Sequence, residues 1–387
     1  MSYRIDEYIL KRKNKLMIVS SIFFLIAGGL LGGIFFRPKK VYFMGNDRPE
    51  FSDFYEAYDI LANRYYTDLD HDELLEGAIS GMFDATADPY TTYMDSEETE
   101  SFNEVMGGNY EGIGSMISVN TDGLPIISQP FKDSPAEKAG LKPMDIIKAV
   151  NGEEVLEFST EMIASKIKGE AGTDVVITII RGDEEQDITV TRGAIEINYV
   201  TSELYEVSGK KIGHIVLESF ARRTHENFDK ELKKLEDAGM DSLIIDVRDN
   251  TGGYLNVVSD IASTFLGKEE IIYRLENQEG LLNIYSTTNE EKDYDVVVLV
   301  NGYSASASEI LAGAMRDSYG SEIIGVTTYG KGTVQRTEEL ATGGMVKYTI
   351  EKWLTPSGEW IDEKGLAPTI EIEQNEEYFY ERTYEKD

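Results

Sequence analysis

Three serines occupy alternate positions in the run Ser304-Ala305-Ser306-Ala307-Ser308-Glu309. A hydroxyl here could act as a nucleophile toward a carbonyl, because the run falls where a strand turns into a helix. The first amides of a helix have no internal partner, and its positive dipole end would stabilise the oxyanion that such an attack creates. About twenty-five residues on, Tyr329-Gly330-Lys331-Gly332-Thr333-Val334-Gln335 holds a lysine between two glycines, with an amide four positions later. Other chemistry is scarce. The chain has no cysteine, which excludes thiol catalysis, thiolate metal sites and disulfides. Its three histidines, His71, His214 and His225, fall on a predicted polar linker, strand or helix start without a ligand-type cluster, so neither a Ser-His-Asp triad nor a metal is expected.

The elements that must position these residues are legible from pattern. Val296-Val297-Val298-Leu299-Val300 reads as a buried strand that breaks at Asn301-Gly302. Ile310, Leu311, Ala314 and Met315 then recur at helical spacing, and Ser306 with Glu309 fits a capping box. An ordinary N-cap is the competing reading of Ser306, and the residues alone do not choose among Ser304, Ser306 and Ser308. Gly325 to Lys331 has the GxxxxGK spacing of a phosphate-binding loop. Gly332 stands where that loop needs Ser or Thr, however, and Thr333-Val334-Gln335 reads as extended chain rather than a helix start.

Upstream, strands and helices alternate: strand 212–217, a helix marked by Phe228, Leu232 and Leu235, strand 243–247, and a helix marked by Val258, Ile261, Ala262 and Phe265. This pattern predicts an α/β core with a mixed sheet. Asp246-Val247-Arg248-Asp249-Asn250-Thr251-Gly252-Gly253 lies between its second strand and helix, where glycines let backbone amides approach a ligand. From Gly107 to Gly193 short strands and turns predominate, with a helix opened by Ser134-Pro135 and stopped at Gly140, and another holding Met162, Ile163 and Ile167. This order resembles a PDZ domain of the bacterial protease type, β-rich with two helices. Gly112-Ile113-Gly114 matches the glycine loop whose amides receive a peptide's C-terminal carboxylate as the peptide adds a strand to the sheet edge.

The 387 residues carry a net charge of −34, which disfavours nucleic acid as a partner. Residues 16–36 form a run of 21 without a charge, long enough for a transmembrane helix, and Lys11, Arg12, Lys13 and Lys15 precede it. The N-terminus is therefore expected in the cytoplasm and the body outside it; a cleaved signal peptide, which would make the body secreted, is the rival. Between 51 and 106 two helical stripes appear. Phe54, Tyr58, Leu61 and Tyr65 form one; Leu74, Leu75, Ala78, Ile79, Met82 and Phe83, opened by Asp70 with Glu73 and stopped by Asp88-Pro89, form the other. Both are expected to be core, or else to bury their stripes in a partner chain.

Taken together, the loop 246–253, the serine run with Ala312-Gly313-Ala314, the segment 329–335, and Thr355-Pro356-Ser357-Gly358 with Gly365-Leu366-Ala367-Pro368 resemble the carboxy-terminal processing proteases over residues 51–373. The resemblance implies Ser306 as nucleophile, Lys331 as general base and Gln335 as the amide orienting the lysine, with oxyanion donors from Ala307 and from the Gly252-Gly253 pair. It also implies protein substrates with accessible C-termini, a homodimer and no cofactor. The chemistry agrees: a lysine near its ordinary pKa of about 10.4 cannot accept a proton from serine at neutral pH unless burial disfavours the ammonium, and a neutral amide orients it without raising that pKa again. Two positions depart from the family pattern. Asn250-Thr251 stands where relatives usually have Asn-Pro. Lys168 stands where they often place an arginine that links an occupied PDZ domain to the catalytic core; lysine keeps the charge but not the planar bidentate donor. The expected organisation is cytoplasmic 1–15, transmembrane 16–36, helical 37–106, PDZ 107–193, peptidase core 194–374 and an acidic aromatic tail 375–387. A catalytically silent PDZ scaffold that captures C-termini is the alternative from another class.

Overall fold

The computed structural model describes residues 49–182, 184–289 and 292–373. The expected transmembrane helix at 16–36 and the tail at 375–387 lie outside the described residues. No helix among the described residues is long and apolar enough to cross a membrane. The chain divides into two units, Met1–Leu74 and Leu75–Asp387.

In the first unit, α1 (Ser52–Arg64) follows a single turn at Pro49–Phe51. Phe54, Leu61 and Tyr65 are exposed, so the stripe expected to be core is not core in this chain. Among the described residues this helix of 13 residues has none of its side chains buried. Next, α2 (His71–Asp84) starts where its sequence signal places it, with the Asp70 carboxylate accepting the amides of Asp72 and Glu73 at 2.8 and 3.3 Å. It runs on into the second unit, where Leu75 and Met82 are likewise exposed. The helix ends before the expected stop at Asp88: the Thr86 hydroxyl donates to the Phe83 carbonyl at 2.8 Å, and Ala87 takes a positive φ of 53°.

The second unit continues with β1 (Thr92–Met94) and α3 (Ser96–Gly107), the latter fixed by a capping box of Asp95 and Glu98 and stopped by Gly108 in the left-handed region. There follow β2 (Asn109–Gly112), β3 (Ser115–Val119), β4 (Pro125–Pro130), α4 (Pro135–Ala139), β5 (Ile146–Val150), β6 (Glu153–Glu154), α5 (Thr160–Ile167), β7 (Asp174–Arg181), β8 (Glu184–Thr191) and β9 (Gly193–Glu196). An antiparallel sheet of order β3-β4-β5-β7-β8 closes on Ile127, Ile147, Ile163, Ile177 and Val190, and β2 pairs with β9 at the neck. The edge strand is β3, and α5 packs beside it.

Beyond the neck come β10 (Val200–Val207), β11 (Lys210–Leu217), α6 (Thr224–Asp237), β12 (Ser242–Asp246), α7 (Leu255–Ser263), β13 (Ile271–Asn277), β14 (Gly280–Tyr285), β15 (Asp295–Val300), α8 (Ala307–Ala314), β16 (Glu322–Gly325), β17 (Thr333–Glu339), β18 (Met345–Leu354) and β19 (Ile370–Glu371). The main sheet has the order β10-β11-β12-β15-β16-β19. It is parallel from β11 onward, with β10 antiparallel at one edge, so the core is α/β with a mixed sheet as expected. A second sheet, β1-β18-β13-β14 with β17 paired to β18, has no counterpart in the sequence expectation. Every residue of α8 is buried. It packs on α7 and β13 and has no solvent face, although Ser308 and Glu309 lie within it.

Candidate active site

Neighbouring parallel strands β12 and β15 deliver the glycine loop and the serine run to the same end of the sheet. Side-chain bonds lock the two together. Asn250 is fully buried; its Nδ2 donates to the Leu217 carbonyl and its Oδ1 accepts the Gly252 amide, both at 2.8 Å. The Asn250 carbonyl accepts from the Ala305 amide at 3.1 Å and from the Ser308 hydroxyl at 2.8 Å. Ser304 is equally committed, its hydroxyl donating to the Val247 carbonyl at 2.7 Å. Of the three alternate serines, Ser304 and Ser308 are fully buried and serve the loop, whereas Ser306 lines a cavity of about 490 Å³.

Ser306 has the backbone of a strained turn, with φ 55° and ψ −113°. A non-glycine residue keeps such a conformation only where its surroundings enforce it, and these sites cluster where function needs a side chain presented outward. Of the expected capping box the reciprocal half is in place: the Glu309 carboxylate accepts the Ser306 amide at 2.8 Å. Glu309 does more than its sequence signal suggests. Fully buried, it also accepts from the Thr328 hydroxyl, from the Gly330 amide at 2.7 Å and from the Lys331 amide at 3.0 Å. One carboxylate thus clips the lysine loop to the start of α8. Burial pushes its pKa up, against the four hydrogen bonds that favour the charged form.

Lys331 lines the same cavity as Ser306. Its Nζ lies 4.6 Å from the centre of the Tyr90 ring and has no carboxylate ion pair among the described residues. Burial, and then the charge of Lys347, lower its pKa from the ordinary 10.5 to about 8, against smaller pulls from Asp88 and Glu309. At pH 7 roughly one lysine in ten is then a free amine, compared with about one in several thousand at the ordinary value. Asp88 itself stays below the usual carboxylate range: burial works to raise it, but hydrogen bonds from Thr349, Thr91 and Tyr90 outweigh that.

Gln335 lines the cavity, and its Nε2 donates to the hydroxyls of Thr333 and Thr349 at 3.0 and 3.2 Å. Thr349 in turn donates to Asp88 at 2.6 Å. No hydrogen bond joins Gln335 to Lys331 among the described residues. The amides named as oxyanion donors separate by their partners. That of Gly252 is taken by Asn250, as given above, whereas those of Ala307 and Gly253 have no protein acceptor among the described residues. Gly252 is irreplaceable for another reason: at φ 110°, a Cβ there would lie 2.9 Å from the Ser306 Cβ and 3.0 Å from the Ala307 nitrogen. A hydroxyl, an amine that is partly unprotonated and the unclaimed Gly253 amide on one cavity, with the unclaimed Ala307 amide next in the chain to Ser306, are the parts that base-assisted acyl transfer requires.

The histidines are engaged elsewhere: His71 with Tyr58, His214 with Asp246 and His225 with Asp229; none lines the cavity. The phosphate-loop alternative also meets its expected obstacle, since the chain after Lys331 enters strand β17. Sequence reasoning missed Glu309 as a cross-link, along with Tyr90, Thr349 and Lys347. Only Glu309 had a local signal, the capping box, and that signal pointed to the helix rather than to the loop 21 residues away.

At the other glycine loop, Gly112 ends β2, while Ile113 is buried and its carbonyl accepts the Ala136 amide at 2.8 Å. Gly114 has φ 73°, and its carbonyl accepts the Phe131 amide at 2.9 Å. Tyr110 faces this loop: burial and then Glu104 raise its pKa, against hydrogen bonds from the backbone of Ser115 and Gly114. Lys168 caps the end of α5, pairs with Glu104 on α3, and lies 5.5 Å from the Tyr110 ring.

Comparison with known proteins agrees with this geometry. The profile of Peptidase family S41 matches residues 211–372, that of a PDZ domain residues 112–191, and that of the activating protease CtpB N-terminal domain residues 39–99. The carboxy-terminal processing protease CtpB of Bacillus subtilis is 39% identical over 322 residues, covering 82% of this chain and 67% of the relative. Its paralogue CtpA is 36% identical over 370 residues, covering 94% and 78%. A Bacteroides fragilis structure assigned to family S41 is 14% identical, with a TM-score of 0.51 over 84% of this chain and 91% of that one, a likeness of fold.

Proposed function

Because this chain belongs to the carboxy-terminal processing proteases, serine peptidases of family S41, we propose that it cuts peptide bonds with a Ser306–Lys331 dyad. The free amine of Lys331 takes the proton of Ser306 as the oxygen attacks the scissile carbonyl. The amides of Ala307 and Gly253 receive the oxyanion. Collapse releases the amine product and leaves an acyl-enzyme, which water activated by the same lysine hydrolyses. Gln335 fixes the direction of the lysine through the wall it builds with Thr333 and Thr349. One observation carries this reading: Ser306, alone among the alternate serines, is turned by a positive φ into a cavity that also holds a lysine whose pKa lies near 8.

The finer reading extends to the whole chain. Residues 16–36 anchor it in the cell membrane, with the catalytic body outside the cytoplasm. Gly112, Ile113 and Gly114 receive substrate C-termini at the edge of β3, and the exposed stripes of α1 and α2 pair with a second copy. Incubating wild type, Ser306→Ala and Lys331→Ala with an unfolded protein bearing an apolar C-terminus, followed by mass spectrometry, tests the dyad. Fragments from wild type alone are expected; fragments persisting in Ser306→Ala would overturn it.

A further inference from the structure

The cavity around Ser306 has a charge opposite to that of the chain that builds it. The protein carries −34, yet among the described residues no aspartate or glutamate lines this cavity, while Lys331, Arg336 and Lys347 do. Lys347 stands opposite Thr337 and shares its face of the sheet with Gln335 and Thr349, whereas Arg336, opposite Tyr348, is turned to the other face. The nearby acids are turned to other tasks. Asp88 accepts from Tyr90, Thr91 and Thr349; Glu309 holds the lysine loop; and Glu338 takes the Tyr348 hydroxyl. Lys347 is half-buried, its Nζ 5.9 Å from the Phe102 ring, and it has no carboxylate ion pair among the described residues. Its charge is felt at Lys331, so the two ammonium groups share one electrostatic environment.

Helix α3 sharpens the contrast. Phe102, Val105 and Met106 line the catalytic cavity, whereas Glu97, Glu100 and Glu104 line a separate cavity on the far side, where Lys168 is the one cation among the described residues. A half-buried ammonium without a counter-ion is unfavourable in the resting protein, and in a confined cavity its field is concentrated on whatever enters. An acid-rich chain could neutralise it with a single substitution in the lining. The arrangement makes sense if the counter-ion arrives with the substrate.

Resting on the peptidase reading of Ser306, we propose that Lys347 forms a subsite for a substrate carboxylate close to the scissile bond. The apolar wall of Phe102, Val105, Met106 and Ile310 takes a neighbouring apolar side chain. The carboxylate is either an Asp or Glu side chain flanking the cut or the free C-terminus of a short tail beyond it; both present the same group to the same cation.

The test uses the full chain in detergent and matched peptides with an apolar residue at the cut. One arm scans Glu, Gln and Lys through the flanking positions with the C-terminus amidated. The other keeps Gln throughout and compares free with amidated C-termini one to four residues past the cut. Wild type is expected to favour a carboxylate about tenfold in kcat/KM in one arm, mainly through KM and shrinking with added salt. That ratio falls to near one in Lys347→Gln and inverts toward Lys peptides in Lys347→Glu, which a merely misfolded variant could not do. Binding of the same peptides to Ser306→Ala, followed by fluorescence anisotropy, reads the subsite without chemistry. A binding preference in that variant that Lys347→Gln abolishes supports the subsite even if the dyad assignment fails. Equal binding and turnover of all peptides by wild type, or a preference that survives Lys347→Gln, overturns it.

Discussion

The two glycine loops proposed to receive negative charge, an oxyanion at one and a substrate C-terminus at the other, are built to opposite specifications. At the catalytic loop the amides of Ala307 and Gly253 are unclaimed, while Asn250, Ser304, Ser308 and Glu309 tie every neighbouring group down. At Gly112-Ile113-Gly114 the backbone of Gly114 and Ser115 already faces the hydroxyl of Tyr110. The first loop is ready for an oxyanion that exists only during reaction, where reorganisation would slow the chemical step. On the proposed reading the second lies beside the Tyr110 ring, and an incoming carboxylate would compete with its hydroxyl for the backbone of Gly114 and Ser115. In that reading rigidity belongs to chemistry, and exchangeability to recognition.

Substituting one glycine in each loop separates the two designs and gives the largest effect. In Gly252→Ala the new Cβ meets Ser306 and Ala305 at 2.9 Å, so the serine must move. We expect kcat/KM to fall by about 10²- to 10³-fold, largely in kcat, with binding of C-terminal peptides retained. Gly114→Ala places its Cβ 2.6 Å from the Ser134 Cβ at φ 73° and should do the reverse, abolishing peptide capture and costing about 1–3 kcal/mol locally. Steady-state kinetics paired with peptide titration would show whether either variant crosses into the other's column.

Glu309→Gln attacks the rigidity of the catalytic loop itself. Its amide nitrogen would face donors where the carboxylate oxygens accept from Ser306, Thr328, Gly330 and Lys331. An expected drop of about 10- to 100-fold in kcat, with Tm lower by several degrees, follows from unpaired buried donors. A loss of Tm with kcat intact would show that the clip is only structural.

The lysine adds a pH signature that the recognition loop lacks. With Lys331 titrating near 8, its free amine grows about tenfold per pH unit below 8 and levels off above, so kcat/KM should rise from pH 6 and flatten past 8. Stability follows the same depressed pKa. Between about 8 and 10.5 the unfolded chain binds the extra proton, so the protein gains stability as pH rises through that window and carries the full penalty of a buried ammonium below it. Lys331→Met should therefore be inactive yet melt a few degrees higher at pH 7, the difference vanishing above about pH 10.5.

How much of this could be read from sequence depends on whether the signal was local. The strand Asp295–Val300, the helix after it and the helices capped at Asp70 and Ser134 announce themselves through periodicity and caps within a dozen residues. The sheet made of β1, β13, β14, β17 and β18 did not, because its strands come from three distant places in the chain, β1, the pair β13–β14 and the pair β17–β18. The stripe of α1 shows the opposite failure: apolar periodicity was clear, but periodicity cannot say what covers it. At the site, the choice of Ser306 rested on family resemblance, while the reason for it is spatial: Val247 and Asn250, more than fifty residues away, claim the other two hydroxyls. The same distance hid the clip from Glu309 to Gly330.

The smallest expected effect concerns the recognition loop. Tyr110→Phe removes the hydroxyl that faces the Gly114 and Ser115 backbone but keeps the ring against which Lys168 lies at 5.5 Å. If the hydroxyl competes with a substrate carboxylate for those amides, its removal should tighten binding of a C-terminal peptide by about three- to tenfold. The limit arises because the hydroxyl is exchanged for water rather than for nothing, leaving a net of roughly 1 kcal/mol. Turnover of a short peptide with an amidated C-terminus should not change, since no carboxylate needs the loop. Weaker binding would mean that the tyrosine donates to the carboxylate instead of standing in for it, and the two loops would then be alike in holding their partners ready.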